Sequence, residues 1–424
     1  MLHLKYIREN QALLVERLKL KNFDASQLVS EIIQLDDQRR QTQNIQDNKQ
    51  AEVNALSREI GNLYKSGQQE EAIKAKANSS RLKEEIKALN SQMQEISSSM
   101  DSLLIQIPNI PHESVPPGKG EQDNFEERRY GDMPVLKKDA IPHWDLGKKY
   151  DILDFELGNK LTGAGFPVFK GKGAKLQRAL IQFFLDEAIG AGYHEIIPPL
   201  MVNEDSGFGT GQLPDKEGQM YHIPSENYYL IPTSEVPITN VYRDVILEAK
   251  ELPVKNTAYT PCFRREAGSY GKDVRGLNRV HQFDKVEIVQ IVHPDKSYDC
   301  LDEMVNHVEQ LLRKLELPFR IMRLCGGDIS FTSALTFDFE VYSAAQQKWL
   351  EVSSVSNFED FQANRLKLRF REESGKKNRM AHTLNGSALA LPRIVAALLE
   401  NNQTSKGIKI PAVLIPYTGF GMIV

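Results

Sequence analysis

One stretch of the sequence, from Cys262 to Glu287, reads CFRREAGSYGKDVRGLNRVHQFDKVE. Two strand-like runs, Cys262–Glu266 and His281–Glu287, enclose a loop rich in glycine and in basic residues, Gly268–Arg279. This arrangement predicts an antiparallel β-hairpin whose connecting loop is a mobile basic lid.

The side chains of this hairpin suggest a nucleotide site. Because side chains alternate across a strand, Arg264 and Glu266 should share one face, and Phe283 and Glu287 should share another. If these faces coincide, a guanidinium can hold phosphate, a ring can stack on a base and carboxylates can bind amino groups. An isolated Arg-x-Glu pair is more often a solvated ion pair on a sheet, so the basic loop is what favours the site.

Length and composition set the general class. The 424 residues are enough for two or three domains, and 41% hydrophobic with 26% charged residues is typical of a globular protein. The net charge of −4 means that nucleic acid could bind only to local basic patches.

The cysteines, Cys262, Cys300 and Cys325, form no Cys-x-x-Cys motif, which indicates reduced thiols. With no signal peptide and no run of about 20 apolar residues, we expect a soluble cytoplasmic protein that makes no membrane contact.

The segment from about Ser26 to Leu104 contains no proline and is rich in Gln, Lys, Glu and Ser. Its second half has apolar residues at alternating spacings of four and three, namely Leu82, Ile86, Leu89, Met93, Ile96, Met100 and Leu103. Its first half repeats this stripe only at its ends, because polar residues take the seam positions in the middle, namely Arg39, Thr42, Gln46 and Lys49. We predict an antiparallel coiled-coil hairpin that reverses near Tyr64–Ser66. It could be a dimerisation rod, a probe for a large partner or a bundle packed on the main body, and the narrow stripe disfavours the bundle.

The fold class predicted from these patterns is α+β. Residues 1–106 form an N-terminal domain with the hairpin at about 26–104, and residues 107–124 are a proline-rich linker. Residues 125–424 mix short strands with helices and form the main body. Within it we expect a helix over Lys175–Ala191 and a strand over His194–Ile197. Prolines follow that strand, which suits a sheet edge at a subunit boundary.

Three further segments carry candidate site residues. Thr233 and Glu235 would share a face in an extended chain, although a helix start capped by Thr233 or Ser234 is the better local interpretation. Glu351 and Ser354 could both bind magnesium only if the strand around them bulges, and a plain strand edge is the alternative. Arg393 follows Pro392 at a helix start, where anions are favoured, but it could also be a surface residue.

Taken together, these segments resemble the seryl-tRNA synthetases of class II. The three class motifs are similar to Lys175–Pro199, Phe263–Glu287 and Gly386–Arg393. Segments that match the serine-specific members are Gly209–Pro214, Thr233–Glu235, Cys325–Asp328, Ser356–Gln362 and His382–Ser387. The match covers nearly the whole chain.

The resemblance implies a homodimer with a tRNA-binding coiled-coil arm on an antiparallel-sheet catalytic domain. It implies that L-serine and ATP give seryl-adenylate, and that serine then passes to tRNA(Ser) and, where one exists, to tRNA(Sec). The catalytic residues would be Arg264, Glu351 and Arg393. ATP would contact Arg264, Arg265, Glu266, Arg279, Val280, Phe283, Glu351, Val352, Ser353, Ser354 and Arg393. Serine would contact Thr233, Ser234, Glu235, Arg264, Glu287 and Ser387, and Mg²⁺ would be held by Glu351 and Ser354.

The sequence departs from the family pattern at two positions, and three other classes of protein are alternatives to a seryl-tRNA synthetase. Glycine is common in the family where Ala388 and Pro392 stand, and we expect the larger residues only to stiffen the turn. Threonyl or prolyl synthetases usually carry a further domain after the third motif, for which the chain after Arg393 is too short. The others are an RNA-binding paralogue without charging activity, which would have lost residues such as Arg264, and a ligase for carrier proteins, which would lack the arm.

Overall fold

The computed structural model describes residues 1–136, 138–267, 275–372, 375 and 377–424. These residues form two compact units, one of residues 1–19 and 23–108 and the other of residues 20–22 and 109–424. The first unit is helical, with α1 (Leu4–Glu9), α2 (Gln11–Leu18), α3 (Ser26–Lys65) and α4 (Gln69–Leu104).

The long helices α3 and α4 pack along each other as an antiparallel hairpin. Gly67, in the reversal between them, has a φ of 79°, a conformation that glycine adopts without steric cost. Val53, Leu82 and Ile86 form an apolar cluster between the helices. The coiled-coil hairpin predicted from the sequence is confirmed.

The polar middle of the predicted seam also faces the partner helix. The Gln46 side chain donates a hydrogen bond to Asn90 Oδ1 at 2.8 Å, and Lys49 Nζ lies 2.5 Å from Glu85 Oε2. Ile45 beside them is 47% exposed, so the polar residues turn inward although an apolar neighbour is available.

The second unit contains the remaining elements. Its helices are α5 (His143–Lys149), α6 (Phe155–Leu161), α7 (Gly171–Gly190), α8 (Glu204–Thr210), α9 (Glu235–Asn240), α10 (Ser297–Lys314), α11 (Phe361–Leu366), α12 (Leu391–Asn401) and α13 (Ile415–Thr418). Its long strands are β9 (Val254–Phe263), β10 (Gln282–Val292), β12 (Leu335–Ser343), β13 (Lys348–Asn357) and β16 (His382–Ala390). The shorter strands are β1 (Phe125–Tyr130), β2 (Leu153–Asp154), β3 (Val168–Phe169), β4 (His194–Glu195), β5 (Met201–Asn203), β6 (His222–Ile223), β7 (Tyr228–Leu230), β8 (Ile246–Glu248), β11 (Phe319–Arg323), β14 (Arg369–Arg371), β15 (Asn378–Met380), β17 (Gln403–Thr404), β18 (Gly407–Lys409) and β19 (Met422–Ile423).

An eight-stranded sheet forms the centre of this unit, in the order β1-β11-β12-β13-β16-β10-β9-β4. Its pairs are antiparallel except for β4, which runs parallel to β9 at the edge. Helices α7, α10 and α12 pack on the sheet, and Leu180, Met304 and Leu398 join its buried residues in one large core. The predicted α+β class is confirmed.

Two predicted elements have different limits in the structure. The helix expected over Lys175–Ala191 begins earlier, at Gly171, and ends at Gly190. The strand expected over His194–Ile197 covers only His194–Glu195, and the Ile196 N–H still donates to the Thr257 carbonyl at 2.9 Å before the two prolines. Of the helices that the structure describes, none is long and apolar enough to span a membrane.

Candidate active site

Strands β9 and β10 pair in the register that places Phe263 opposite Gln282. The predicted hairpin is therefore confirmed, but the strand ends at Phe263, and Arg264–Glu266 lie beyond it. Strand alternation cannot be what orients Arg264 and Glu266, because Glu266 has a φ of 42°. The central loop residues, 268–274, on which the lid was predicted, lie outside the described residues.

Arg264 and Phe283 nevertheless meet on one face. The guanidinium carbon lies 5.3 Å from the centre of the Phe283 ring, and the Arg264 Nε–H donates to the Pro232 carbonyl at 3.3 Å. The Arg264 backbone N–H donates to the His281 carbonyl at 2.9 Å, which extends the hairpin pairing by one bond. A cation and a ring are thus held side by side at the end of the strand pair.

Further along the same face of β10, a buried polar cluster surrounds Glu287. Lys285 Nζ lies 2.5 Å from Glu287 Oε2 and donates to Thr233 Oγ1 at 2.9 Å, while that hydroxyl is 3.2 Å from the same carboxylate. The three residues are at most 4% exposed. Glu287 also pairs with Ser387 of β16 across the sheet. Ammonium, hydroxyl and carboxylate are the groups that can recognise a small zwitterion with a hydroxyl.

Glu235 joins this cluster from the start of α9. The helix begins here as the local interpretation predicted, and the Glu235 N–H donates to Thr233 Oγ1 at 3.2 Å. The Glu235 carboxylate accepts a 2.6 Å hydrogen bond from Gln362 Nε2. Gln362 Nε2 also donates to the Thr210 carbonyl, and its Oε1 accepts from Thr383 at 2.7 Å. The amide is fixed at both ends and holds the carboxylate in place.

The environment of Glu235 disfavours its charge. Burial, and then the negative charge of Glu287, raise the pKa of Glu235 to about 7 from an ordinary 4.5. The hydrogen bond from Gln362 and the charge of Lys285 act in the opposite direction but are weaker. An ammonium ligand between the two carboxylates would remove this conflict.

Strand β13 contains the bulge that joint ligation by Glu351 and Ser354 requires. Phe339 of β12 pairs with Ser353 and Glu340 pairs with Glu351, so Val352 has no partner in the register. Ser354 Oγ donates to Asp338 Oδ1 at 2.5 Å. Burial, and then the charge of Glu351, raise the pKa of Asp338 well above its ordinary value. Two carboxylates and a hydroxyl therefore gather at one place, which are the oxygen ligands that a hard cation prefers.

Arg393 lies in the first turn of α12, after Pro392. Its Nε–H donates to the Asn278 carbonyl at 2.9 Å, and Nη1 donates to the Glu351 carbonyl at 2.7 Å. Nη1 is also 3.7 Å from the Glu351 carboxylate. The guanidinium thus sits next to the cluster of oxygen ligands.

The other predicted site residues differ in what they can offer a ligand. Arg279 pairs with Glu266 at 3.0 Å, and the Arg265 N–H donates to the Gln219 carbonyl. The Ser353 hydroxyl donates to the Ser387 carbonyl at 2.6 Å. Four predicted side chains are at most 5% exposed, namely Ser234, Val280, Val352 and Ser353. In the free protein these four residues, backbone included, have almost no exposed surface.

Three residues of this site were missed at the level of sequence, namely Lys285, Gln362 and Asp338. Lys285 lies between Phe283 and Glu287 in every second position of the strand, so the three side chains share one face. The strand pattern could therefore have placed Lys285 in the site. Gln362 had no local signal, because Glu235 lies 127 residues away along the chain. Asp338 is 16 residues from Ser354, and the pairing of β12 with β13 brings the two together.

Comparison with known proteins agrees with this fold. Residues 1–111 match the family model described as "Seryl-tRNA synthetase N-terminal domain". Residues 221–402 match the "tRNA synthetase class II core domain (G, H, P, S and T)". The fold is that of a class II aminoacyl-tRNA synthetase.

Relatives that match over the full length show which family of class II synthetases the chain belongs to. The chain is 50% identical to a serine–tRNA ligase of Salinibacter ruber over 424 residues, which are 100% of this chain and 99% of the relative. It is 44% identical to a serine–tRNA ligase of Geobacter sulfurreducens, with 99% of each covered. A seryl-tRNA synthetase from Pyrococcus horikoshii, solved in complex with ATP, matches with a TM-score of 0.94 at 35% identity, covering 100% of this chain and 99% of that one. The chain belongs to the seryl-tRNA synthetase family, and the predicted activity of a serine–tRNA ligase is confirmed.

The raised pKa of Glu235 generates a prediction for stability. Because the folded pKa lies above the unfolded one, the stabilising contribution of this group is complete below about pH 4.5 and is lost as the pH rises through about 7. Glu235→Gln stays neutral, so its free energy of unfolding relative to wild type should rise by about 2–4 kcal/mol between pH 4.5 and pH 8. Urea unfolding at both pH values measures this. Glu156→Gln, at a side chain that is 91% exposed, is the control. Equal differences at both pH values would contradict the assignment.

Proposed function

We propose that this chain activates L-serine with ATP at the site between β10, β13 and α12, and then transfers serine to the 3′ end of tRNA(Ser). The observation that carries this proposal is the convergence of the Arg264–Phe283 pair with the buried Thr233–Lys285–Glu287 cluster on one face. The first suits a nucleotide and the second suits a small hydroxylated amino acid. The ATP in the complex of the Pyrococcus horikoshii relative supports the same assignment.

For ATP, Arg264 holds the α-phosphate, Phe283 stacks on adenine and Glu266 binds the adenine edge. Arg393 lies across the base and reaches the γ-phosphate. Arg265, Arg279, Val280, Val352 and Ser353 complete the nucleotide contacts.

The chemical step needs no nucleophile from the protein. A serine carboxylate oxygen forms a bond to the α-phosphorus while the bond from that phosphorus to the bridging oxygen breaks, and pyrophosphate leaves with the electron pair. The work of the site is to align the two substrates and to stabilise negative charge on the α-phosphate oxygens. Arg264, fixed through Pro232 and His281, is suited to that role.

For serine, Thr233 and Glu235 bind the ammonium, Glu287 and Ser387 bind the hydroxyl, and Ser234 and Arg264 complete the pocket. A buried site built to bond a hydroxyl is left with unpaired polar groups by alanine, which favours serine. Because the serine ammonium stabilises ionised Glu235, binding below pH 7 releases a proton.

Magnesium fits the oxygen ligands at the bulge of β13. Glu351 and Ser354 would hold the ion there, and Asp338 lies beside them as a further acidic group. The remaining ligands would come from substrate oxygens, since magnesium is usually bound by one or two carboxylates together with substrate phosphates. The ion would neutralise charge on the phosphates.

The remaining proposals concern partners and location. The hairpin of α3 and α4 grips tRNA(Ser) and, where it exists, tRNA(Sec). Two copies of the chain form a homodimer through the edge of the sheet at β4, where the following Ile197 is 87% exposed. The enzyme works in the cytoplasm.

Arg264→Ala should reduce serine-dependent exchange of pyrophosphate into ATP by at least about 100-fold, because one preorganised charge-stabilising group is lost. Arg58→Ala, at an exposed position of α3, is the control and should leave exchange unchanged. An Arg264→Ala protein with full exchange would exclude the role proposed for its guanidinium.

Replacing Ser26–Leu104 by a short glycine-serine linker should leave pyrophosphate exchange within about twofold of wild type. Charging of tRNA should fall by at least about 100-fold, because the proposed tRNA grip is gone. Both rates are measured on the same preparation, so exchange reports whether the catalytic unit is intact. Normal charging by this variant would show that the arm has another purpose.

Ile197→Asp should turn the dimer into a monomer, because a charge replaces a large apolar side chain at the proposed interface. Light scattering after size-exclusion chromatography gives the mass. Ile73→Asp, at a position of the arm that is 61% exposed, is the matched control and should remain dimeric. The interface is elsewhere if the Ile197→Asp protein keeps the mass of two chains.

A further inference from the structure

A second polar cluster, outside the proposed substrate pocket, lies behind the segment Leu277–Asn278, and two of its three residues, His143 and Glu400, are fully buried. Glu400 of α12 is its centre, and His143 and Gln346 each bind both Glu400 and that segment. We infer that these three residues, called here the Glu400 clamp, position Leu277–Asn278 and through it Arg393. The inference rests on the ATP role proposed above for Arg393.

The first branch of the clamp runs through His143, which is 0% exposed. The Leu277 backbone N–H donates to His143 Nε2 at 2.8 Å, so Nε2 is the unprotonated nitrogen of the ring. The hydrogen is then on Nδ1, which donates to Glu400 Oε1 at 2.7 Å. The His143 backbone N–H donates to the same oxygen at 2.9 Å. One tautomer of this ring therefore connects helix α12 to the backbone of Leu277.

The second branch runs through Gln346. Its Nε2 donates to Glu400 Oε1 at 2.9 Å, and its Oε1 accepts from Asn278 Nδ2 at 2.9 Å. Ser343 donates its hydroxyl hydrogen to the other oxygen of Glu400. Burial raises the pKa of Glu400, but the hydrogen bonds from His143 and Ser343 outweigh it and the net pKa is lowered. Glu400 is therefore a carboxylate that can hold both branches.

The clamp acts on the site through one carbonyl group. The Asn278 carbonyl accepts the Nε–H of Arg393 at 2.9 Å, and Arg393 stands about two turns before Glu400 on α12. The helix thus carries the arginine at one end, and near its other end the carboxylate that fixes the arginine's own partner. The guanidinium is oriented before ATP arrives, which is the condition for strong electrostatic stabilisation.

The backbone next to the clamp is adapted to this close approach. Gly276 has a φ of 69°, and a Cβ atom there would lie 2.2 Å from His143 Nε2. A side chain at position 276 would push the imidazole away from the Leu277 N–H. Glycine is thus required both for the backbone conformation and for the space that the ring occupies.

A cluster that only stabilises the packing of α5 on α12 would affect both substrates alike. The proposed positioning role instead predicts a split between them, because the serine-binding groups, Thr233, Glu235 and Glu287, form no hydrogen bond with the clamp in the described structure.

The test uses the full-length enzyme in pyrophosphate exchange. His143→Leu and Gln346→Leu should each raise the KM for ATP about tenfold and leave the KM for serine within about twofold. Glu400→Gln keeps an acceptor oxygen for His143 and should behave nearly as wild type. Glu309→Leu is the control, because it removes a carboxylate of α10 that binds Arg128 of β1 and Arg313 of α10. It should lower the melting temperature without changing the KM for ATP relative to the KM for serine.

Two results would overturn the inference: an unchanged KM for ATP in the folded variants, or an equal rise in both KM values. If His143→Leu fails to fold, Gln346→Leu decides, because its side chain is only partly buried. Arg393→Ala separates this inference from the proposed function. An unchanged KM for ATP in Arg393→Ala would refute the ATP role itself. A raised KM in Arg393→Ala with normal clamp variants would refute only the positioning.

Discussion

The antiparallel pairing of β9 with β10 is the constraint on which the catalytic unit depends. Its register places Phe283, Lys285 and Glu287 on one face, and turns Val286 and Ile288 into the core. A shift of one residue would exchange these two sets, exposing the apolar side chains and burying the charges against α7. The hydrophobic core and the substrate pocket are thus fixed by the same set of backbone hydrogen bonds.

The charges in this site are arranged for ligands that bring their own charge. Glu235 and Glu287 lie close enough for the pKa of Glu235 to rise, and Glu351 has the same effect on Asp338. Such like-charged pairs cost stability in a free protein and become favourable when a cation enters between them. At the proposed nucleotide site the sign is reversed, since Arg264 and Arg393 supply positive charge there and donate hydrogen bonds to the carbonyl oxygens of Pro232 and Asn278.

Much of this architecture could be predicted because its signals are local. The alternating spacing of four and three residues, to which Leu82 and Ile86 belong, predicted the coiled coil. Alternation along a strand also showed that Glu351 and Ser354 need a bulge between them, and the structure has that bulge at Val352. Alternation failed at Arg264 because the strand ends one residue earlier, and tertiary hydrogen bonds orient the side chain there. The contacts of Gln362 with Glu235 and of His143 with Glu400 and Leu277 were beyond reach, since each joins residues that are more than a hundred positions apart.

The polar pairs within the helical arm have a consequence for how its two helices find each other. Apolar seams are interchangeable, and a helix could slide along its partner by a heptad with little change in burial. Such a slide would separate Lys49 from Glu85 and Gln46 from Asn90, so both polar contacts between the helices would be lost. A misaligned hairpin is therefore less stable than the aligned one. The polar residues lower the apolar burial in the middle of the arm, but they fix a single register of α3 on α4.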